Sequence, residues 1–240
     1  MRYLFTILIL FIALTSFGQQ NSEVTSEPVY EDLDGDGKNE RIEINILDDD
    51  GDYSSFILKI GKAIINGKHS YNVTGFKVVD IDKGDSQKEV AVYTPNANGP
   101  DEYIIYKYDG NSIKQVGATG STTTFNGDGT VEVESYMAFY DKKDTYKYDR
   151  DKDELVWEER KEYEINIETK ALEEVTLSGG TLKTGQPVRI TKAVIKDNCE
   201  KTGPYSWELC DEFYVVSDDG VEGWVTLEDM MGKIDLPLRP

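Results

Sequence analysis

The sequence predicts an all-β chain, a long acidic β region followed by a shorter C-terminal one. Three observations carry that prediction. Polar and apolar residues alternate with period two in stretches such as Arg41-Ile42-Glu43-Ile44-Asn45-Ile46, the pattern of a strand with one buried face. Acidic or amide-rich turns containing glycine recur at near-regular intervals, beginning at Asp32, Asp80 and Asn126, and each leads into such a stretch. A glycine-rich turn at residues 217–220 separates Phe213-Tyr214-Val215-Val216 from Gly223-Trp224-Val225, as in a hairpin.

At the amino end, Arg2 precedes an apolar run over residues 3–14, and Ser16-Phe17-Gly18 places small residues before Gln19. Residues 1–18 therefore read as a secretory signal peptide, and they resemble bacterial export leaders. The run is too short for a stable membrane span, and no cysteine stands at the cleavage point to accept a lipid. The expectation is an exported, unanchored chain, secreted or periplasmic. Removing the leader leaves 222 of 240 residues, enough for one large or two modest domains. Residues 19–175 carry a net charge of −17 and residues 176–240 one of −4, which divides the chain at that point. Such an acid excess opposes nucleic acid and anionic membrane as partners and favours cations.

The first acidic turn, Asp32-Leu33-Asp34-Gly35-Asp36-Gly37-Lys38-Asn39-Glu40, has the spacing of a loop that wraps a hard cation. Side-chain oxygens fall at positions 1, 3 and 5, glycine at 6 and a backbone carbonyl at 7, supplied by Asp32, Asp34, Asp36, Gly37 and Lys38. Three carboxylates within five residues repel one another unless a multivalent ion or water intervenes, and Ca²⁺ accepts six to eight oxygens. A strand rather than a helix follows, so Glu40, not Glu43, is the expected fourth acid. The alternative is a plain acidic β-turn, for which Asp and Gly are favoured in any case.

Forty-eight residues on, Asp80-Ile81-Asp82-Lys83-Gly84-Asp85-Ser86-Gln87-Lys88-Glu89 leads into Val90-Ala91-Val92-Tyr93. A third turn, Asn126-Gly127-Asp128-Gly129, leads into Val131-Glu132-Val133-Glu134. Asp149, Asp151 and Asp153 also alternate, but strand-like residues flank them, and they read as a hairpin turn before a metal site. The Asp32 loop with its following strand resembles the calcium loops of FG-GAP and VCBS repeats. Val79-Asp80-Ile81-Asp82, Lys88-Glu89-Val90-Ala91-Val92, Gly99-Pro100-Asp101-Glu102-Tyr103 and Tyr106-Lys107-Tyr108-Asp109-Gly110 resemble exported bacterial VCBS-like proteins, over residues 28–141. The resemblance implies a second calcium site through Asp80, Asp82, Asp85 and Glu89, although its spacing departs from the first and Gly84 is displaced. It also implies propeller-like blades. Three units of about 47 residues fall short of the four to eight blades of a full ring, so the expected architecture is a propeller-like or partial β-repeat assembly.

In the C-terminal region, Leu182-Lys183-Thr184-Gly185-Gln186-Pro187-Val188-Arg189-Ile190, Phe213-Tyr214-Val215-Val216 and Asp218-Asp219-Gly220-Val221-Glu222-Gly223-Trp224-Val225 resemble a bacterial SH3-type (SH3b) domain, a small SH3-like barrel. Trp224, following Gly223 in a strand, reads as core. The resemblance implies binding of cell-wall peptides or glycans in a shallow aromatic groove, where Tyr205, Trp207 and Tyr214 are the candidates. In an oxidising compartment Cys199 and Cys210, the only cysteines, are expected to pair, closing a short loop worth about 2–3 kcal/mol. Zinc would need further Cys or His ligands, and the chain has one histidine.

Catalysis is not the expectation. The single histidine, His69, lies in the turn-like Gly67-Lys68-His69-Ser70 and reads as a surface residue, which leaves Ser or Cys without an oriented base. No phosphate-cradling or dinucleotide motif is present. The sequence thus reads as an exported, calcium-binding, non-catalytic binding protein. The alternatives are a glycan-processing hydrolase using paired carboxylates, and an inhibitor or assembly partner of another exported protein.

Overall fold

The computed structural model describes residues 23–47, 53–70, 72–95, 101–120, 122–137, 139–195 and 211–237. The leader at 1–18, Cys199, Cys210, Tyr205 and Trp207 lie outside those residues. The described chain is all-β apart from one short helix, and no described helix is long and apolar enough to cross a membrane.

Three successive stretches each fold into a four-stranded antiparallel sheet whose strands follow chain order. Sheet one is β1 (Val29–Glu31), β2 (Glu40–Leu47), β3 (Ser54–Ile60) and β4 (Ala63–His69). Sheet two is β5 (Gly75–Val79), β6 (Glu89–Thr94), β7 (Glu102–Tyr108) and β8 (Ile113–Gly120). Sheet three is β9 (Thr122–Phe125), β10 (Thr130–Met137), β11 (Tyr140–Asp149) and β12 (Glu154–Trp157). The acidic segments 32–39 and 80–88 are the β1–β2 and β5–β6 turns, and Asp149, Asp151 and Asp153 belong to the β11–β12 hairpin.

The sheets stack in order, with sheet two in the middle. Val90, Val92, Ile104 and Tyr106 pack against Ile42, Phe56 and Leu58 of sheet one, while Ala91, Ile105 and Val116 pack against Val131 and Val133 of sheet three. Burial on both faces explains why β6 reads as a continuous apolar run and β2 as an alternating one. At the first interface Phe56 lies across β4 over its register partner Gly67, where a Cβ would stand 2.1 Å from the ring. Glycine is the residue that close approach permits.

The C-terminal unit is a four-stranded sheet in the order β13 (Glu162–Lys170), β16 (Pro187–Ile195), β17 (Asp211–Ser217), β18 (Glu222–Thr226). A hairpin of β14 (Val175–Leu177) and β15 (Gly180–Leu182) and the helix α1 (Leu227–Met230) complete it. β13 pairs with β16, so this sheet begins upstream of the change in composition near residue 176. Its core also takes in Met137, Phe139 and Tyr140 from the end of the β10–β11 hairpin. Phe139 packs 5.0 Å from Phe213, and the Tyr140 hydroxyl donates to Asp211 Oδ2 at 2.8 Å. Among the described residues none of the sheets closes on itself.

Two readings of the sequence are corrected here. Trp224 is half-buried rather than core, because Gly223 and Val225 take the inward positions on β18 and leave Trp224 on the outer face. His69 is not a surface turn residue. It ends β4 with its side chain 15% exposed, and its Nε2 lies 2.8 Å from Glu102 Oε2 of β7.

Candidate metal centre

The first loop is held almost entirely by its own side chains. Asp32 Oδ1 accepts from the Gly35 N–H and Oδ2 from the Gly37 N–H, both at 2.9 Å. Asp34 Oδ1 accepts from the Asp36 N–H at 3.1 Å, and Asp36 Oδ1 from the Lys38 N–H at 2.8 Å. These short-range bonds are the ones Asp provides in turns, and they wind the backbone into a tight coil. Between the two acids Leu33 is fully buried, its N–H held by Glu40 Oε2 at 2.9 Å and its carbonyl by the Lys88 N–H at 3.0 Å. That anchor swings Glu40 back over the loop from the start of β2. Gly35 has φ +75°, and a Cβ there would stand 2.2 Å from Ser86 Oγ, so the first loop can press against the second only with glycine at this point.

The result is a triad. Carboxylate oxygens of Asp32, Asp34 and Glu40 lie within 4.8 Å of one another, the only such cluster of three or more metal-ligating groups among the described residues. All three donors are hard oxygens, the chemistry that suits Ca²⁺ or Mg²⁺ rather than thiophilic metals. Asp36 stands apart, its Oδ2 2.7 Å from the Lys38 ammonium, and the lysine hydrogen bonds hold its carboxyl below the usual range. The structure thus brings three of the five predicted first-loop residues together and turns Asp36 and the Lys38 side chain towards each other.

The second loop shares the frame and differs in its charges. Ile81, fully buried, corresponds to Leu33. Its N–H is held by Glu89 Oε2 at 3.1 Å and its carbonyl by the Gly129 N–H of the third turn at 2.8 Å. Asp82 is engaged by Arg150 of the β11–β12 turn, whose Nε is 3.1 Å from Oδ2, and that guanidinium holds the Asp82 carboxyl low. Asp85 Oδ1 accepts from the Gln87 N–H at 2.8 Å. Glu89, 3% exposed, is pushed up to about 7 by burial. Burial, with Asp85 nearby, also raises Asp80, whose Oδ1 is enclosed without a hydrogen-bond partner among the described residues. These four acids do not converge as the first three do.

In the C-terminal unit Tyr214 faces outward from β17, opposite its register partner Trp224, with ring centroids 5.0 Å apart at 62°. The sequence pointed to Tyr214 but not to Trp224 as its neighbour. It also missed Arg150, for which no local signal exists. The common frame of the loops was partly legible, in the shared Asp-Leu/Ile-Asp pattern and the glutamate that follows it.

No protein-family model matches the chain, and no curated protein matches it significantly.

Proposed function

We propose that the chain is an exported, non-catalytic binding protein stabilised by Ca²⁺ in its first acidic loop. The observation that carries this reading is the convergence of Asp32, Asp34 and Glu40 within 4.8 Å on a loop already folded by its own hydrogen bonds. Each pair of like charges about 4 Å apart repels by roughly 1 kcal/mol in water, and a bound divalent cation reverses that sign. Glu40 bridges the loop to β2, so an ion there ties the loop to sheet one. In this reading the acidic turns are VCBS-like blade connections, and three four-stranded sheets stacked in chain order support a partial propeller-like assembly. The C-terminal unit is an SH3b-like module, and its outward Tyr214–Trp224 pair supports an aromatic face for cell-wall peptides or glycans.

Calorimetric titration of the chelator-treated chain with Ca²⁺, alongside thermal melts, tests the metal half. Heat of binding and a raised melting temperature are expected in the native chain and are lost in Asp34→Asn and Glu40→Gln. An unchanged melt with no heat would reduce the loop to an acidic turn. Co-sedimentation with purified peptidoglycan tests the other half. Equal recovery of the native chain and a Tyr214→Ala, Trp224→Ala variant would sink it.

A further inference from the structure

Beyond Tyr214 along β17, the C-terminal sheet ends in a cleft of about 710 Å³. Its walls are the end of β13, the start of β16, Asp218 after β17, and residues 235–237, which the Asp235 N–H ties to the Lys170 carbonyl at 3.0 Å. Five of its side chains are charged, two basic and three acidic, and they are not equally engaged. Arg189 and Glu168, register partners, are paired at 3.1 Å. Lys170 Nζ stands 3.9 Å from Asp235 Oδ2, beyond hydrogen-bond reach. The Asp218 carboxylate has no hydrogen bond or ion pair among the described residues. A loosely held cation and a bare carboxylate therefore face the same cleft.

The sheet sets the spacing of those two charges. Lys170 pairs with Pro187 across β13 and β16, and Val188 with Ser217 across β16 and β17. Asp218 thus comes level with Pro187, two strand spacings or about 10 Å from Lys170. Pro187 between them, with Leu236 of the far wall, offers apolar surface. An extended chain rises about 3.3–3.6 Å per residue, so the ammonium and carboxylate of a tripeptide stand about 10 Å apart. The chain's net charge of −20 repels a bare anion, a penalty that a ligand carrying its own cation escapes.

We propose that this cleft binds short zwitterionic peptides with both termini free, Lys170 receiving the carboxylate and Asp218 the ammonium. The site is separate from the Tyr214–Trp224 pair and needs no metal ion.

Calorimetric or NMR titration of the full chain with trialanine tests this, alongside the N-acetylated and C-terminally amidated forms of the same peptide. Trialanine is expected to bind about three- to fivefold more tightly than either blocked form, the scale of one exposed ion pair. Lys170→Gln should abolish the preference for the free carboxylate and keep that for the free amine, and Asp218→Asn the reverse. Both residues are exposed, and the blocked peptides test the native chain without any substitution. Blocked forms binding as tightly as trialanine, acetate matching it, or no binding by about 10 mM would overturn the proposal. The Tyr214→Ala, Trp224→Ala variant should keep trialanine binding, so a failure here and a failure to bind peptidoglycan are told apart. Loss of trialanine binding in that variant would also overturn the assignment to this cleft.

Discussion

The first and second acidic loops share a frame and are neutralised differently. In both, a fully buried aliphatic residue sits between two aspartates, a downstream glutamate holds its N–H, and the next sheet's turn holds its carbonyl. In the first loop the acids converge without a basic side chain among them, Asp36 alone being drawn to Lys38. In the second, Arg150 arrives from 68 residues away to engage Asp82, and burial raises the Glu89 carboxyl to about 7, so that it holds its proton below that pH. A shared acidic motif therefore specifies a backbone shape more firmly than it specifies an ion. What fills the charge depends on which surface lies opposite.

The largest expected effects test the shared frame. Leu33→Ala and Ile81→Ala each remove a fully buried aliphatic side chain and should cost about 3 kcal/mol, read from urea midpoints at constant m. A loss below about 1 kcal/mol at either position would break the equivalence of the two loops.

Next comes the buried glutamate. Its folded pKa of about 7 lies above the usual 4.5, so the folded state binds the extra proton between those values. Its contribution is fully present below about pH 4.5 and is lost as pH rises through 7, up to about 3 kcal/mol. Measured in chelator, Glu89→Gln should match the native chain near pH 4.5 and exceed it in stability at pH 8. A pH-independent difference between the two would remove burial as the distinguishing feature of the second loop.

Ion binding separates the loops directly. With a Kd of about 10 µM, 1 mM free Ca²⁺ should add about 2.7 kcal/mol, abolished by Asp34→Asn and retained in Asp85→Asn. The smallest effect sharpens the comparison most. The Arg150–Asp82 pair, with the arginine largely exposed and screened by solvent, should contribute little to stability, so Arg150→Gln should scarcely shift the melt. Yet if Arg150 is what neutralises the second loop, the substitution should raise the calcium stoichiometry, and an unchanged calorimetric stoichiometry would count against that role.

Much of the fold was legible because its cause is local. Period-two alternation placed β2, and the run Val90-Ala91-Val92-Tyr93 marked β6. The Asp149 turn was readable as a hairpin because its hydrogen bonds span only two to four residues. The reading of Trp224 failed because alternation sorts a strand's residues into two faces without saying which is covered. That choice was made by the pairing of β18 with β17, which turns Phe213 and Val225 inward and Tyr214 and Trp224 out. His69 was misread for a related reason, since its partner Glu102 lies 33 residues away on another sheet.

By itself the sequence determined the strands, their turns and the coil of the first loop, because hydrogen bonds between residues two to eight apart are encoded in spacing. Only the tertiary structure decided that Arg150 meets Asp82, that Glu89 is buried while Glu40 is not, and that Phe139 and Tyr140 lodge in the C-terminal core. Those outcomes depend on which sheet faces stack. Stacking follows from the burial of whole apolar faces, a property of the assembled molecule that no short stretch of chain carries.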